Sequence, residues 1–281
     1  MKKATSLLLF LFTITFVSAQ TSILSWNIRD LGKTKNEQEL NQIANILKDH
    51  DIVALQEVVA GPGGSQAVAQ LADLLNRKGI KWDYRISNPT NSPKYKKEKY
   101  AFLWKVSKAQ IIDRPTLVKE VAAKVFREPY RATFKIEGQK ITILNYHSRR
   151  FDEHPEIEVA ALAEYLKKQN TDKWLIAGDF NLSADAMAFN AFKVQGFDPL
   201  LEKQKTTLKR KCAIENGYLY HDIDNIFLNR KHFVILDCGI IDFVNGCENL
   251  TAARFISDHV PIFVELKWND KNWIFRTSKE N

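Results

Sequence analysis

The stretch Trp174-Leu-Ile-Ala-Gly-Asp-Phe-Asn181 is an apolar run that ends in polar groups. It reads as a strand over Trp174 to Phe180, and side chains two apart on a strand share a face. Asp179 and Asn181 can therefore address one target. The same construction recurs along the chain. Asn27 closes Ser25-Trp-Asn-Ile-Arg29, Glu57 closes Val53-Ala-Leu-Gln-Glu-Val58, and His147 ends Ile143-Leu-Asn-Tyr-His-Ser148. Asp258 and His259 precede the last strand in Ile256-Ser-Asp-His-Val-Pro261. Any one polar strand end taken alone reads more readily as a turn or edge residue. The repetition places functional groups along one rim of a rigid scaffold.

Strands are expected at Ser22–Ile28, Asp51–Val58, Trp82–Ile86, Tyr100–Val106, Tyr130–Ile136, Ile141–His147, Ile223–Leu228, Phe233–Ile240 and Pro261–Trp268. Glu137-Gly138-Gln139 is a hairpin signature between two of them. Helices are expected at Asn36–His50, Ser65–Lys78, Glu156–Lys168 and Ala184–Val194; Leu40, Ile43, Ile46 and Leu47 form the apolar stripe of the first. Gly61-Pro62-Gly63-Gly64 reads as a flexible loop. Two packed sheets with helices outside would bury both strand-rich halves, although composition alone permits other α/β folds.

The chain has 281 residues, 45 % hydrophobic and 26 % charged, with no linker or repeat, which points to one globular domain. Residues 1–19 read as a secretory signal peptide. Lys2 and Lys3 precede an apolar run from Leu7 to Val17, and Val17-Ser-Ala19 offers a cleavage site. The single domain would then be 20–281, with its core at about 22–267. No later segment is long and apolar enough to cross a membrane, so a secreted or periplasmic monomer without stable membrane insertion is expected. Removing the leader lowers the formal charge from +8 to +6, a balance that suits a polyanionic partner. Of Cys212, Cys238 and Cys247, the pair Cys238–Cys247 is the easier disulfide, and the spacing fits no zinc motif. His50, His154, His221 and His232 fall on helix ends or polar turns and read as solvated.

The strand-end groups are oxygen donors, suited to a hard cation such as Mg²⁺ or Mn²⁺. Hydrolysis of a phosphodiester needs charge neutralised, a water activated and a leaving alkoxide protonated. Carboxylates with two histidines, His147 and His259, provide these.

Taken in order, Trp26-Asn-Ile-Arg29, Gln56-Glu-Val58, Gly178-Asp-Phe-Asn181 and Ser257-Asp-His-Val-Pro261 resemble the endonuclease/exonuclease/phosphatase superfamily. Tyr95-Lys-Lys-Glu-Lys-Tyr100, Phe126-Arg-Glu-Pro129 and Tyr146-His-Ser148 resemble deoxyribonuclease I in particular. The resemblance spans about Ser22 to Leu266 and implies a four-layered α-β-β-α sandwich, two mixed β-sheets face to face with helices outside. It implies a metal-dependent endonuclease whose substrate is DNA, with RNA open beside it. A lipid headgroup or inositol phosphate is the alternative within the superfamily.

By the same resemblance, Asn27, Glu57 and Asp258 hold the metal, and Asp179 and Asn181 hold the scissile phosphate or a second cation. His147 and His259 act as the acid/base pair, oriented by Glu98 and by Asp224, with Asp222 the competing choice for the second. Arg29 and Arg127 match arginines that touch nucleic acid, and Lys96 lies in the lysine run Lys94, Lys96, Lys97 and Lys99 around Glu98. The pattern departs at Val59, where the family has an Arg, and at Tyr95, which stands one place farther from the orienting Glu. Both put the DNA-contacting surface in question, and structural Ca²⁺ is not readable.

Overall fold

The computed structural model describes residues 20–213 and 217–269. The expected leader, and the tail beyond Asn269, lie outside the described residues. In chain order the strands are β1 (Thr21–Leu31), β2 (Ile52–Val59), β3 (Trp82–Ile86), β4 (Glu98–Lys105), β5 (Gln110–Ile111), β6 (Thr116–Leu117), β7 (Tyr130–Ile136) and β8 (Gln139–His147). There follow β9 (Trp174–Asp179), β10 (Asp198–Pro199), β11 (Leu208–Ala213), β12 (Gly217–Leu219), β13 (Asp224–Leu228), β14 (Phe233–Ile240) and β15 (Ile262–Trp268). The α-helices are α1 (Glu37–Leu47), α2 (Pro62–Asn76), α3 (Pro155–Lys167), α4 (Asn190–Lys193) and α5 (Leu250–Ile256).

One sheet runs β14-β15-β1-β2-β4-β3, the other β10-β13-β9-β8-β7-β5 with β6 also on β7. Each is mixed: β1 pairs parallel with β2 and β8 with β9, while their other neighbours are antiparallel. The period-2 alternation of strand side chains explains the layering. Ile23, Ala54 and Phe102 of one sheet pack with Phe134, Ile143 and Ala177 of the other. Their neighbours Leu24, Val53 and Leu55 turn outward onto Ile43 and Leu47 of α1 and Val68 and Leu71 of α2. Leu144 and Ile176 turn outward onto Val159, Leu162 and Leu166 of α3. This is the four-layered sandwich expected from the sequence.

A polar bridge ties the two sheets together close to the rim. Gln56 Nε2 donates to Asn145 Oδ1 at 2.7 Å, and Asn145 Nδ2 donates to the Leu55 carbonyl at 3.0 Å. Both side chains are fully buried, so losing either partner would strand a desolvated polar group. The bridge lies one residue from Glu57 and two from His147 along their strands.

Several local expectations are corrected. Ala184–Val194 is no continuous helix: a 3₁₀ turn at Met187–Phe189 leads into the four-residue α4. There Phe189 and Phe192 pack around Phe180 and Phe227, and that aromatic packing overrides local helical preference. Gly61–Gly64 is the start of α2, with Pro62 in its first turn, and a Cβ on Gly64 would collide with the Val59 backbone. His50 is buried, its Nδ1 2.7 Å from Ser22 Oγ, and burial pushes its pKa down to about 4. His232 is half-buried, whereas His154 and His221 are exposed. The disulfide joins Cys212 to Cys247, with Cα atoms 5.7 Å apart, and Cys238 is free. Cys238 is on β14 and packs against the inter-sheet core, whereas Cys247 lies in the turn before α5, which packs against β11.

Candidate active site

β8 and β9 run parallel and in register, so that His147 lies beside Asp179 at their ends. Gly178 makes that approach feasible. Its φ is +151°, and a Cβ there would overlap the Tyr146 carbonyl. On the other sheet, β2 slips register between Leu55 and Val58, and Glu57 takes a left-handed φ of 58°. Bulged, left-handed backbone at a non-glycine residue is costly, and it serves here to aim a carboxylate at the rim. Asn181 also has positive φ, 50°, and its backbone N–H donates to Asp179 Oδ1 at 2.9 Å.

Asp179 Oδ2 is the hub of the site. Asn27 Nδ2 donates to it at 3.1 Å, His147 Nε2 stands 3.5 Å away and His259 Nε2 3.8 Å away. Each histidine is held from behind by its own carboxylate. His147 Nδ1 is 2.9 Å from Glu98 Oε1, and His259 Nδ1 is 2.8 Å from Asp224 Oδ2. Asp222 instead accepts from Ser183 Oγ at 2.5 Å. With Nδ1 engaged, both imidazoles present Nε2 to the same carboxylate oxygen.

The electrostatics follow from burial and neighbours. Burial opposes charge on His259, but the carboxylates of Asp224 and Asp179 outweigh it and hold the imidazole up at about 10. Burial pushes Asp224 up, and the facing imidazolium and the Thr206 hydroxyl only partly offset that. For His147, burial and Arg127 lower the pKa, while Glu98 and Asp179 prevail and raise it. Burial raises Glu57, and Glu98 adds to the effect.

Among the expected metal ligands, Asn27 Nδ2 donates to Glu57 Oε1 at 3.0 Å as well as to Asp179. The half-buried Glu57 and the buried Asp179 thus converge, and their carboxylate oxygens fit a hard divalent cation; Asn27 turns its Nδ2 to both while its Oδ1 accepts from the Arg29 N–H at 3.1 Å, so it would have to turn its amide over to add an oxygen. Asp179, Asp224 and His259 also bring ligand atoms within 4.8 Å of one another, but Asp224 is already engaged by His259 Nδ1. Asp258 stands apart: it is half-exposed, and its Oδ2 lies 3.8 Å from Arg254.

The expected nucleic-acid contacts divide. Lys96 is exposed in a turn with Lys94, Tyr95 and Lys97, and lines a cleft of about 340 Å³ with Glu57, Glu98 and Arg127. Arg127 reaches that cleft but is mostly buried. Its Nη1 donates to the Ser148 carbonyl at 2.8 Å, and its Nε stands 2.9 Å from Glu98 Oε2, off the line of the N–H, so the contact is an ion pair. Arg127 therefore braces the carboxylate that braces His147. Arg29 is half-buried, with Nη1 donating to the Arg254 carbonyl at 3.2 Å.

Three supporting residues were not singled out from the sequence. Thr206 Oγ1 donates to Asp224 Oδ2 at 2.6 Å, Ser257 Oγ donates to the Asn27 carbonyl at 2.7 Å, and Trp26 Nε1 donates to the His259 carbonyl at 2.8 Å. Ser257 and Trp26 sit inside the quoted motifs. Thr206 lies in a polar stretch that carries no signal.

Residues 24–259 match the model of the Endonuclease/Exonuclease/phosphatase family. The chain belongs to the Endonuclease/Exonuclease/phosphatase family. It is a hydrolase acting on phosphoester bonds, of the phosphodiesterase or nuclease kind. It is 26 % identical to a deoxyribonuclease of Thioalkalivibrio sp. (strain K90mix), over 95 % of this chain and 76 % of that one. It is 31 % identical to deoxyribonuclease-1 of Rattus norvegicus, over 62 % of this chain and 65 % of the other. Among solved structures of the family fold, a Leptotrichia buccalis protein superposes with a TM-score of 0.62 at 17 % identity, covering 88 % of this chain and 99 % of that one. A Bacteroides thetaiotaomicron mannosyl-6-phosphatase gives 0.61 at 17 %, with the same coverage. Enzymes of this family generally depend on divalent metals, and among the described residues no helix is long and apolar enough to cross a membrane.

Proposed function

We propose that the protein is an exported endonuclease that hydrolyses DNA phosphodiesters with Mg²⁺ or Mn²⁺, using His147 and His259 as an acid/base pair. The observation that carries this reading is the convergence of both Nε2 atoms on Asp179 Oδ2, with each Nδ1 engaged by a separate buried carboxylate. A phosphate bound beside Asp179 would lie within reach of both imidazoles. One histidine removes a proton from the attacking water, and the other gives a proton to the departing 3′ oxygen. A P–O bond to water forms as the P–O3′ bond breaks, leaving 5′-phosphate and 3′-hydroxyl ends. Glu98 and Asp224 keep each ring in the tautomer that presents Nε2 and stabilise its charged form. Glu57 and Asn27, with Asp179, would hold the cation, which when bound neutralises charge on the phosphate oxygens.

DNA is favoured by the deoxyribonucleases among the relatives and by the lysine turn beside Glu98. Export agrees with the leader pattern at 1–19 and with the Cys212–Cys247 disulfide, a bond that persists in oxidising compartments. A panel of duplex DNA, single-stranded DNA, RNA, sphingomyelin and inositol phosphates, assayed with Mg²⁺ and with chelator, tests the assignment. Metal-dependent DNA cleavage is expected. Turnover confined to the lipid or the inositol phosphates would overturn it.

A further inference from the structure

The hairpin β11–β12 belongs to neither large sheet, yet it is rooted at the active site. Leu208 N–H donates to the Asp258 carbonyl at 2.7 Å, and Thr207 bridges to His259. Arg254 Nη1 on α5 donates to the Leu208 carbonyl at 2.6 Å, and the Cys212–Cys247 bond fastens the strand to the turn before that helix. The hairpin is therefore fixed against α5 and forms one wall of a cleft of about 560 Å³. The cleft is lined by Arg29, Thr34, Lys35, Arg210, Arg254 and Phe255, with Asp30 and Glu39 as its acids.

Most of these groups are engaged. Lys35 Nζ donates to the Phe255 and Ile256 carbonyls, Arg254 holds the hairpin, and Glu39 closes the cap of α1. Two are left over. Arg210 is exposed and has no partner among the described residues, and Phe255 is 68 % exposed in the midst of the cations. A phenyl ring and an unpaired guanidinium lining one cleft suit a nucleotide, whose base stacks on the ring while its phosphate meets the fork.

We propose that this cleft is a nucleotide subsite on the His259 side of the centre, with Arg210 taking a backbone phosphate and Phe255 stacking a base. It rests on the endonuclease reading and extends it: the substrate strand continues past the scissile phosphate, opposite the Lys94–Lys97 turn on the His147 side. Both residues are on the surface and outside the catalytic centre, so their replacement leaves the chemistry in place.

The test measures binding of the full-length protein, in chelator, to fluorescent single-stranded oligonucleotides by anisotropy. Phe255→Ala should weaken binding about tenfold, the scale of one base stack removed. Arg210→Ala should lower the slope of log affinity against log salt by about 0.7, the value for one phosphate neutralised on a single strand. Turnover of bis(p-nitrophenyl) phosphate should be unchanged in both. Wild-type affinity and salt slope in both variants would overturn the subsite while leaving the endonuclease reading intact. No binding or cleavage of DNA by the wild-type protein would overturn both. If Phe255→Ala instead released the protein from phosphatidylserine vesicles and spared oligonucleotide binding, the cleft would be a lipid-binding surface and the proposal wrong.

Discussion

At His259, carboxylates of Asp224, Asp179 and Asp258 act on one partly buried imidazole, and the first two outweigh desolvation to hold its pKa at about 10. In metal-free protein its ring should stay charged at pH 8 by NMR titration, and Asp224→Asn should bring the midpoint down; a midpoint near 6.5 in the wild type would contradict this. The sign for stability follows. A folded pKa above the unfolded one stabilises fully below about 6.5 and loses that contribution as pH rises through about 10. Chelated protein should therefore weaken between these limits, and His259→Gln should weaken less. A bound cation opposes the charged ring and moves the midpoint down. In catalysis, His147→Ala and His259→Ala should each lower DNA turnover at least ~10²-fold, and the double variant should lose much less than the product. Multiplicative losses would show that the two act independently. These histidines were legible because each ends or precedes an apolar strand inside a multi-residue motif. Thr206 was not, because a hydroxyl donating to a carboxylate 18 residues away leaves no local pattern.

The element scale separates what periodicity carries from what tertiary contacts decide. α1, α2 and α3 were readable because one face of each is apolar at helical spacing, and β3, β7 and β14 were read with their observed ends. The hairpin β11–β12 and the short α5 were not. Lys209-Arg-Lys211 has no strand-like alternation, and a disulfide and an arginine hold the pair in place. Replacing both Cys212 and Cys247 by Ser should cost about 2–4 kcal/mol in chemical denaturation, the usual worth of closing such a loop; an unchanged midpoint would show that packing alone fixes the hairpin. The Lys94–Lys97 turn was legible only as a charge run. Its place beside Glu57 and Glu98 implies that alanines at Lys94, Lys96 and Lys97 flatten the salt dependence of duplex binding, by about 0.9 for each phosphate no longer neutralised. Turnover of a small diester should be spared, and an unaltered slope would make the turn mere solvated surface.

Over the whole molecule, two sheets pack face to face and bring their strand ends to one rim, with Asn27 and Glu57 from one and His147 and Asp179 from the other. The fold was legible because motifs at the ends of apolar strands recur in a fixed order. The aim of each side chain was not, since the left-handed turn at Glu57 and the close approach at Gly178 come from contacts between strands. The scaffold stands on packed apolar layers, so chelator should stop turnover and leave the thermal unfolding profile cooperative; loss of the folded state on chelation would mean that a cation is structural. The most direct test of the central claim is nicking of supercoiled plasmid DNA by the wild type and by His147→Ala, each with Mg²⁺ and with chelator. The account predicts nicks bearing 5′-phosphate and 3′-hydroxyl ends for the wild type with Mg²⁺, and a loss of at least ~10²-fold for the variant. Near wild-type nicking by His147→Ala, or undiminished nicking in chelator, would contradict it.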